Sequence, residues 1–393
     1  MNADRPPAAA VTIIGRGVAG LACAIAMVDT GRVSPAEVVT VDPVDGWLSQ
    51  WDERLERLGV THLRSSTFQH PDTDARALER YLTTHPSPDV ESDGFLRHPS
   101  PAVFSGFCRH LIDTKLAGAV RHRGRVAAIR QEGNGLVVVT GDGTAWWSKH
   151  VVLATNPRAR QVPMWAMKAL AHAAHTVVHT DDLRPREHLH DDRPIVVVGG
   201  GNTAAGLAVD AATHAARVVL VARRPLRGQR FDVTPGWMSA TVYGAFDRVQ
   251  DPLTRLRLAD AAASGGTVPP PLLRRLRHLQ AAGGIDVRDG VRITAGQIRH
   301  GRLSLDLSDG TRIGSATVWL ATGSIPTLAG APRLMLSRPI TFLRRFPLLD
   351  GHLRVPGTNL FIVGGLARIV VGPTAGNLHG HRHAARRVAA AIG

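Results

Sequence analysis

The sequence predicts an α/β protein with two domains, each built around a parallel β-sheet. Two observations lead to this prediction. First, an apolar strand, a glycine-rich turn, an alanine-rich helix and a second apolar strand follow one another at 10–43 and again at 194–224. Second, each unit is followed by an Asp-Gly pair and an apolar run that ends in Ala-Thr, at 141–156 and at 308–323. The repetition of both patterns indicates an internal duplication.

The Asp-Gly pairs at 142–143 and 309–310 are each flanked by short β-like runs. This combination is typical of a hairpin in a small antiparallel meander. The spacing is the same in both halves, because Ala154 follows Gly143 by eleven positions and Ala321 follows Gly310 by eleven. We therefore expect each parallel sheet to carry a β-meander just before its return strand.

The last part of the chain contains a further strand at 360–363 and a terminal helix rich in alanine and arginine. These elements have no sheet of their own, so they join an existing sheet, most simply the first. We therefore predict that residues 1–158 and 326–393 form the first domain and that residues 159–325 form a second domain inserted into it. Within the second domain, residues 231–271 are a long excursion, and excursions of that size usually cover a site or carry function.

The composition excludes several classes of protein. With 393 residues, 44% of them hydrophobic and 20% charged, the chain is an ordinary globular protein. No run of eighteen or more residues lacks charge, which predicts neither a signal peptide nor a membrane span and indicates a cytoplasmic location. Two distant cysteines, Cys23 and Cys108, form neither a disulfide framework nor a CxxC redox pair nor a thiolate metal site.

The formal net charge of +15 comes from arginines spread along the whole chain. Because the basic residues do not gather in one run or tail, nucleic acid is not a predicted partner. The positive charge suits anionic small-molecule ligands instead.

The first glycine turn, GRGVAG at 15–20, directly follows a strand and opens a helix. Its first glycine permits the tight turn, the second lets the backbone approach a pyrophosphate, and the third lets the helix pack on the strand. Asp42 ends the next strand, where a carboxylate binds a ribose diol and repels a 2′-phosphate, unless it is simply a solvated strand end. The turn is therefore predicted to bind FAD or NAD rather than NADP. The predicted binding residues are Gly15, Gly17, Val18, Ala19, Gly20 and Asp42.

The second glycine turn, GGGNTA at 199–204, has the GxGxxA form of the same motif. Its second strand ends in Arg223-Arg224 with no acidic residue, and guanidinium groups there bind a 2′-phosphate. This favours NADPH over NADH, although an arginine-rich chain also places arginines on its surface without function. The predicted binding residues are Gly199, Gly201, Asn202, Thr203, Ala204, Arg223 and Arg224.

With these residues in place, the chain resembles the two-dinucleotide-binding flavoprotein monooxygenases, the class B group that includes flavin-containing monooxygenases, lysine and ornithine N-hydroxylases and Baeyer-Villiger enzymes. The resemblance covers nearly the whole chain. It is most specific to bacterial FAD/NAD(P)-binding proteins grouped with the N-hydroxylases, through GVTHLRSSTFQHPDTDARAL at 59–78, FDVTPGWM at 231–238 and VGPTAGNLHGHRHAARR at 371–387. It implies two Rossmann-like dinucleotide-binding domains, with the NADPH domain inserted in the FAD domain.

The resemblance also implies roles for residues outside the glycine turns. A loop containing Arg64, Ser65 and His70 approaches the isoalloxazine, although His70 is equally compatible with an ordinary histidine. Separately, Trp237 follows Pro235-Gly236 on the excursion, a position from which it is expected either to cover the nicotinamide or the flavin or to pack within the second domain. The flavin is further contacted by a set of residues near the C-terminus whose helix N–H groups favour negative charge on the reduced ring. These residues are Gly364, Gly372, Pro373 and Asn377.

The chain departs from the pattern of this group in three places. One is FxGxxxH at Phe104, Gly106 and His110, which lies on a predicted helix ahead of the first meander and is interpreted as helix packing. The other two concern the flavin site. Asn156 replaces the usual glycine of the first ATG, and Gly365 stands where many relatives have an aspartate. FAD binding would then rely more on backbone contacts and on Asp42. No metal is predicted, because HLH at 188–190 and HGHRH at 379–383 lack partnering cysteines or acids, and HGHRH is expected on a solvated helix.

The resemblance implies a monooxygenase that takes hydride from NADPH, forms a flavin C4a-(hydro)peroxide with O₂ and transfers one oxygen atom to a small molecule. N-hydroxylation of an amine is the first expectation. Two alternatives stay open, namely an NADPH-dependent flavin reductase or dehydrogenase without oxygen insertion, and an NADP-binding regulatory module without turnover. The sequence leaves the substrate and the oligomeric state undefined.

Overall fold

The computed structural model describes residues 8–392 except 168–175, 188, 190–192, 215–216, 264, 300–301 and 315–316. Two residues of the HLH sequence, 188 and 190, therefore lie outside the described residues. Among the helices of the described part of the chain, none has the length and apolar character needed to cross a membrane.

Strands dominate the first and middle parts of the chain, and many of them are short. In chain order the strands are β1 Ala8–Ile14, β2 Val38–Asp42, β3 Val90–Ser92, β4 Arg97–Pro99, β5 Val120–Arg123, β6 Val126–Glu132, β7 Gly135–Thr140, β8 Ala145–Leu153, β9 Arg158–Arg160, β10 Val177–His179, β11 Ile195–Val198, β12 Val218–Ala222, β13 Ile285–Asp289, β14 Ile293–Arg299, β15 Arg302–Leu307, β16 Arg312–Ile313, β17 Thr317–Leu320, β18 Ser324–Pro326, β19 Arg333–Met335, β20 Phe342–Leu343, β21 Phe346–Pro347 and β22 Leu360–Ile362.

The helices alternate with these strands. Those with both ends among the described residues are α1 Val18–Asp29, α2 Ser49–Arg57, α3 Ala77–Thr84, α4 Pro101–Lys115, α5 Asn202–Thr213, α6 Ala240–Asp247, α7 Pro252–Ala262, α8 Pro270–Ala281, α9 Arg368–Val371 and α10 Leu378–Ala391.

The first sheet has the strand order β19-β6-β7-β8-β1-β2-β5, and β22 also pairs with β8. Strands β5, β2, β1, β8 and β22 run parallel, whereas β6, β7 and β8 form an antiparallel meander. The C-terminal strand therefore returns to the first sheet, as predicted. Strands β1, β2, β8 and β22 bury apolar side chains on both faces, since helices α1, α4 and α10 cover one face and the segment around 328–349 packs on the other, whereas the edge strand β5 is polar and mostly exposed.

The second sheet is parallel throughout, with the order β10-β17-β11-β12-β13. Its meander, β14-β15-β16, forms a separate antiparallel sheet. Both predicted Asp-Gly turns are present, since Gly143 N–H donates to the Thr140 carbonyl at 3.0 Å and Gly310 N–H to the Leu307 carbonyl at 3.1 Å. The predicted α/β class, with two parallel sheets and two meanders, is confirmed.

The equal spacing in the two halves has a structural cause. A Cβ built on Gly15 would lie 2.9 Å from the Ala154 carbonyl oxygen, and one on Gly199 would lie 2.4 Å from the Ala321 carbonyl oxygen. Both glycines have positive φ angles, of 106° and 153°. The alanine that ends each return strand therefore packs directly against the first glycine of the corresponding turn, where no side chain fits.

The excursion is the main addition to the duplicated plan. Residues 235–262 form a 3₁₀ turn at Pro235–Met238 followed by α6 and α7. Helix α7 packs against α9, which follows the last strand of the first sheet. The Arg255 guanidinium donates to the Ile369 and Val370 carbonyls at 2.7 Å each, and Arg368 donates to Asp260 at 3.0 Å. The excursion therefore leaves the second sheet and docks on the first half. The predicted boundaries at 158/159 and 325/326 stay a prediction.

Candidate functional site

The predicted cofactor residues of each half lie at the carboxyl edge of its parallel sheet. In the first sheet, Asp42, Gly15, Asn156 and Gly364 follow or end the neighbouring strands β2, β1, β8 and β22. In the second sheet, the Arg223-Arg224 pair and Gly199 follow β12 and β11, and Gly323 lies beyond β17. Ligands of open parallel sheets bind at this edge, so both halves present a candidate site where the sequence predicted one.

The first glycine turn is shaped to receive a phosphate group. A Cβ on Gly20 would lie 2.0 Å from the Gly15 carbonyl oxygen, which fixes the third glycine as a packing contact between helix and turn. Gly17 is the N-cap of α1 and has no atom within 4 Å of its built Cβ. The first N–H groups of α1, at Val18 and Ala19, have no partner earlier in the helix, so they face the open space beside Gly17.

Asp42 is held beside this turn by the backbone. Its carboxylate accepts hydrogen bonds from the Arg16 N–H at 2.9 Å and from the Val44 N–H at 3.0 Å. The buried Arg16 side chain donates to the Asp42 and His122 carbonyls at 3.3 and 3.0 Å, and its buried Nε atom has no partner among the described atoms. Burial lowers the pKa of Arg16. The unpartnered Nε of Arg16 and the open space at Gly17 together fit a dinucleotide bound at this turn.

The two departures from the family pattern at the predicted flavin site are coupled. Asn156 adopts a left-handed backbone with φ of 46°, and its Oδ1 accepts the Gly365 N–H at 3.1 Å. A Cβ on Gly364 would lie 3.0 Å from the same Oδ1, and a Cβ on Gly365 would lie 2.7 Å from Pro326 Cγ. The asparagine side chain therefore takes the space that a side chain at 364 would need, and Pro326 takes the space that a side chain at 365 would need.

Replacing Asn156 by alanine is expected to destabilise the protein by about 2 kcal/mol, from the lost hydrogen bond and from alanine in a left-handed conformation. Asn156→Gly loses only the hydrogen bond and relieves the strain, so about 1 kcal/mol or less is expected. Urea unfolding of both variants measures the difference. Equal stability of the alanine and glycine variants would contradict this account.

The turn at 372–377 lies against the excursion. Gly372 has a φ of 84° and a Cβ built there would lie 2.8 Å from the Trp237 ring, so the indole packs closely against this glycine. Trp237 is 8% exposed and packs with Tyr243 and Phe246. Gly372 and Pro373 are buried, whereas Asn377 is half-buried at the start of α10. Trp237 thus packs between the turn at 372–377 and the other aromatic residues of the excursion. Its contact with a cofactor stays a prediction.

Arg64 binds the backbone just before the excursion and Thr267 near its end, rather than pointing into open space. Its guanidinium donates to the Gln229, Arg230 and Thr267 carbonyls at 2.7, 3.0 and 3.2 Å, and to the Thr267 hydroxyl at 2.8 Å. Burial lowers its pKa, and attraction to Asp232 opposes this. Arg64 therefore fastens the two halves together, and its half-buried neighbour Ser65 lies at the same junction.

Replacing Arg64 by alanine is expected to destabilise the protein by about 3 kcal/mol, because three carbonyl groups lose a charged donor at a partly buried site. Arg97→Ala is the matched control, since Arg97 makes an exposed ion pair with Glu79 that is worth about 1 kcal/mol or less. Both free energies of unfolding come from urea titration. A loss no larger for Arg64→Ala than for the control would refute the fastening role.

His70 is enclosed in the interior of the first half, and its role beside the flavin stays a prediction. Its side chain is fully buried, its Nε2 lies 3.1 Å from the Ala75 carbonyl oxygen, and its ring packs edge-on against Phe107. Burial, and secondarily the charge of Arg382, lowers the pKa of His70 to about 4. The geometry matches the ordinary buried histidine that the sequence also allowed.

The second half contains a large cavity at its glycine turn, with a volume of about 1020 Å³. Gly201 is the N-cap of α5, so the first N–H groups of that helix, at Asn202 and Thr203, open into the cavity. Ala204 occupies the third position of the motif. A Cβ built on Gly199 would lie 3.1 Å from the Ala204 Cβ, so the alanine fits here because Gly199 has no side chain. The Gly265-Gly266 pair of the excursion lies directly over the turn.

One part of the lining of this cavity is strongly cationic. Four arginines line it. The sequence predicted Arg223 and Arg224 as binding residues, and the structure adds Arg227 and Arg292. Arg227 and Arg292 lie outside the glycine-turn motif, and only the folded chain brings the β13–β14 connection beside the end of β12. A 2′-phosphate is the group that such a cluster of guanidinium donors suits best.

The two cysteines are sealed inside the first half. Cys23 and Cys108 are both free and fully buried. Burial raises the pKa of the Cys23 thiol to about 12 and raises that of Cys108 well above its usual range. Neither thiol is available as a thiolate nucleophile.

The prediction that HGHRH lies on a solvated helix is wrong. His379, His381 and Arg382 are each only 7% exposed, and His383 stacks on Tyr243 with ring centroids 4.1 Å apart. The terminal helix is buried between α1 and the excursion, so these side chains pack on both sides. Within the described residues, no group of three or more His, Cys, Asp or Glu side chains is arranged to hold a metal ion.

Residues 9–234, more than half of the chain, match the pyridine nucleotide-disulphide oxidoreductase family. This chain belongs to that family. Membership confirms the prediction of an oxidoreductase that uses FAD and a pyridine nucleotide. Among curated proteins, none matches the sequence at a significant level.

Solved structures extend the likeness of this family member to the whole chain. It is similar to a cadaverine monooxygenase of desferrioxamine biosynthesis from Erwinia amylovora, solved with FAD, at 15% identity and a TM-score of 0.75 over 98% of this chain and 94% of that one. It is also similar to an ornithine N-hydroxylase from Kutzneria sp. 744, at 16% identity and a TM-score of 0.75 over 98% and 99%. A bacillithiol disulfide reductase from Bacillus cereus gives 20% identity and a TM-score of 0.61 over 98% of each chain.

At these identities the similarity shows the fold alone. It confirms that the resemblance to two-dinucleotide-binding flavoprotein monooxygenases holds for the architecture of both halves. Within this oxidoreductase fold, the individual site residues named from the sequence remain predictions, and the geometry above shows which of them lie together.

Proposed function

We propose that this chain is an FAD- and NADPH-dependent monooxygenase that N-hydroxylates a small amine. The observation that carries the proposal is the pairing of two dinucleotide sites with two sealed cysteines. The chain has no cysteine pair that could accept electrons from a pyridine nucleotide, although the family name includes disulphide chemistry. Their destination is then an external acceptor, and O₂ is the acceptor we propose. The similar folds of cadaverine and ornithine hydroxylating enzymes support an amine as the substrate.

The overall reaction balances with one NADPH and one O₂ per amine. The N–H bond of the amine becomes N–O–H, which oxidises the nitrogen by two electrons, and the second oxygen atom leaves as water. The remaining two electrons come from NADPH, and one proton is taken from solvent. Bound FAD supplies the chemistry that activates O₂.

The residues of this chain bind, orient and exclude water. The α1 N-terminus and Asp42 would hold the pyrophosphate and ribose of FAD, and the α5 N-terminus and the arginine cluster would hold NADPH. N–H groups at the start of α10 would favour negative charge on a flavin bound there. The packing of Trp237 on Gly372 and the hydrogen bonds of Arg64 hold the excursion against the first half, which limits entry of water.

The function is tested by reducing the flavin with NADPH without oxygen and then mixing with oxygenated buffer containing ¹⁸O₂ and an amine. We expect a transient absorbance unlike that of either reduced or oxidised flavin, and a hydroxylamine product that carries the label. Direct return of the oxidised flavin spectrum without labelled product would favour the reductase or dehydrogenase alternative. Purified protein that retains no flavin would favour a regulatory module.

The cofactor preference is tested at the arginine cluster. Replacing both Arg223 and Arg224 by alanine is expected to raise KM for NADPH about a hundredfold, since two charged hydrogen-bonding partners of the 2′-phosphate are lost. KM for NADH is expected to change less than about threefold, because NADH lacks that phosphate. Steady-state oxidation of both nucleotides gives the ratio, and a parallel loss for NADH would contradict the assignment.

A further inference from the structure

We propose that residues 265–267, here called the strap, form a second phosphate-binding element that contacts the pyrophosphate of NADPH from the side opposite the glycine turn. This inference rests on the proposed function, in which NADPH binds at the second glycine turn, and it adds residues that lie outside the GxGxxA motif. The strap lies near the end of the excursion. Its two glycines line the same cavity as the turn.

The strap is in direct contact with the turn. A Cβ built on Gly201, the N-cap of α5, would lie 3.3 Å from the Gly266 Cα, and one built on Gly266 would lie 3.5 Å from the Gly200 carbonyl oxygen. At the first turn, by contrast, a Cβ built on Gly17 meets no atom within 4 Å. A phosphate group at the second turn is therefore bordered by the strap, whereas the corresponding space at the first turn is open.

The strap offers hydrogen-bond donors to a ligand. Among the described residues, no oxygen accepts a hydrogen bond from the Gly265 or Gly266 N–H. Both glycines are exposed and have left-handed φ angles of 48° and 57°, and a Cβ built on Gly265 would meet no atom within 4 Å. Glycine adopts this conformation without steric cost, and its lack of a side chain lets a ligand approach the backbone closely.

The cavity between the turn and the strap suits an anion. Four arginines line it, and no Asp or Glu is among its lining residues in the described part of the chain. Each phosphate group of a pyrophosphate is tetrahedral, so its oxygens face the α5 N-terminus on one side and the strap on the other. Hydrogen bonds from backbone N–H groups to such charged oxygens are among the stronger ones in proteins.

The first half holds the strap in place. The Arg64 guanidinium donates to the Thr267 carbonyl at 3.2 Å and to its hydroxyl at 2.8 Å, and Thr267 directly follows Gly266. Beyond the strap, the Val268 N–H donates to the Arg227 carbonyl at 3.0 Å. Thr267 and Val268 are buried, whereas the two glycines are exposed. Arg64 is therefore a positioning residue for the strap, and it couples NADPH binding to the contact between the halves.

The test measures binding by isothermal titration calorimetry on the protein loaded with FAD, with NADP⁺, NAD⁺ and adenosine 2′-monophosphate as ligands. The first two contain the pyrophosphate, whereas the third has only the 2′-phosphate. Gly265→Ala adds a methyl group beside the donors of the strap. It is expected to raise Kd about tenfold for NADP⁺ and NAD⁺ alike, as for the loss of one hydrogen bond to a charged group. Binding of adenosine 2′-monophosphate is expected to stay unchanged.

Gly133→Ala is the matched control. Gly133 has a similar φ of 58° and a Cβ built there also meets no atom within 4 Å, but it lies between β6 and β7 in the first half. Both variants are expected to lose the same amount in thermal midpoint, and only Gly265→Ala is expected to lose nucleotide affinity. Arg64→Ala is expected to raise Kd for both dinucleotides about threefold, although Arg64 is not among the residues that line the cavity. Arg97→Ala is its control.

Amide hydrogen exchange on the unmodified protein tests the strap without any variant. NADP⁺ is expected to slow exchange in a peptide that covers residues 265–268, whereas adenosine 2′-monophosphate is not. Faster exchange there with NADP⁺, or dinucleotide affinities that Gly265→Ala leaves unchanged, would overturn the proposal. If NADP⁺ does not bind the unmodified protein, the strap and the proposed function are both refuted. Binding that depends on Gly265, without any hydroxylated amine, supports the strap and contradicts only the proposed function.

Discussion

Replacing Gly20 by alanine is expected to prevent the first half from folding. The added Cβ would lie 2.0 Å from the Gly15 carbonyl oxygen and 3.3 Å from Ile13 Cγ2. Both neighbours belong to the central strand and its turn, so neither moves without disturbing the buried sheet. A cost above about 4 kcal/mol is expected, which is a large part of the stability of a typical domain. Soluble yield, far-ultraviolet circular dichroism and the thermal midpoint measure the effect.

Gly17→Ala separates folding from flavin binding. Its built Cβ meets no atom within 4 Å, and its φ of −75° suits alanine, so the variant is expected to fold with an unchanged thermal midpoint when flavin is removed from both proteins. The methyl group would enter the space predicted for the pyrophosphate, and the ratio of flavin to protein absorbance is expected to fall at least tenfold. If Gly20→Ala folds like Gly17→Ala, the two glycines do not have the separate roles assigned here.

The two halves could be predicted from the sequence because their patterns are local. A glycine turn between a strand and a helix, or an Asp-Gly pair between two β-like runs, is specified within about ten to thirty residues. The equal spacing that precedes Ala154 and Ala321 also reflects a long-range contact, because each alanine packs against the first glycine of the turn in its own half. These features fixed the class of fold and the carboxyl edge at which both candidate sites lie.

The junction between the halves could not be predicted in the same way. The position of Arg64 near the flavin stays a prediction, and its four hydrogen bonds to the other half reach residues more than 160 positions away in the chain. Nothing local to 59–78 marks those carbonyl partners. Arg292 was missed for the same reason, since it joins the Arg223 and Arg224 cluster only through the parallel pairing of β12 and β13.

The histidines of the terminal helix illustrate a second limit. The alternation of histidine, glycine and arginine in HGHRH resembles a polar face, and a single sequence gives no sign of what will cover it. The cover comes from the excursion, where Tyr243 stacks on His383 and bonds to Thr374. A polar helix buried by a distant segment is invisible to periodicity, which detects only the helix itself.

This burial predicts a steep loss of stability in mild acid. Five buried or half-buried histidines have a pKa lowered from 6.5 to between about 3 and about 4, mainly by burial. They are His70, His150, His379, His381 and His383. In the folded protein they stay neutral, whereas the unfolded chain takes up protons as soon as the pH falls below 6.5. The stability they contribute is therefore complete above pH 6.5 and is lost as the pH falls towards 4.

Each such histidine makes the free energy of unfolding fall by about 1.4 kcal/mol per pH unit in that window. Five together approach about 7 kcal/mol per unit, which is comparable with the whole stability of a typical domain, so acid unfolding is expected at about pH 5. Urea unfolding between pH 5 and pH 8 measures this slope. A free energy of unfolding that stays flat from pH 7 to pH 5 would show that the rings are solvated.

His150 offers the cleanest variant, because both of its ring nitrogens are buried without a partner among the described atoms and its ring packs near Phe361. His150→Phe keeps an aromatic ring in this position and removes one protonation site. It is expected to lower the slope by about 1.4 kcal/mol per pH unit and to stabilise the protein most at pH 5. His278→Gln, on the exposed face of α8, is the control and is expected to leave the slope unchanged. Because the change removes one buried titratable ring and no residue predicted to bind a cofactor, it separates the acid response of the core from any pH dependence of catalysis.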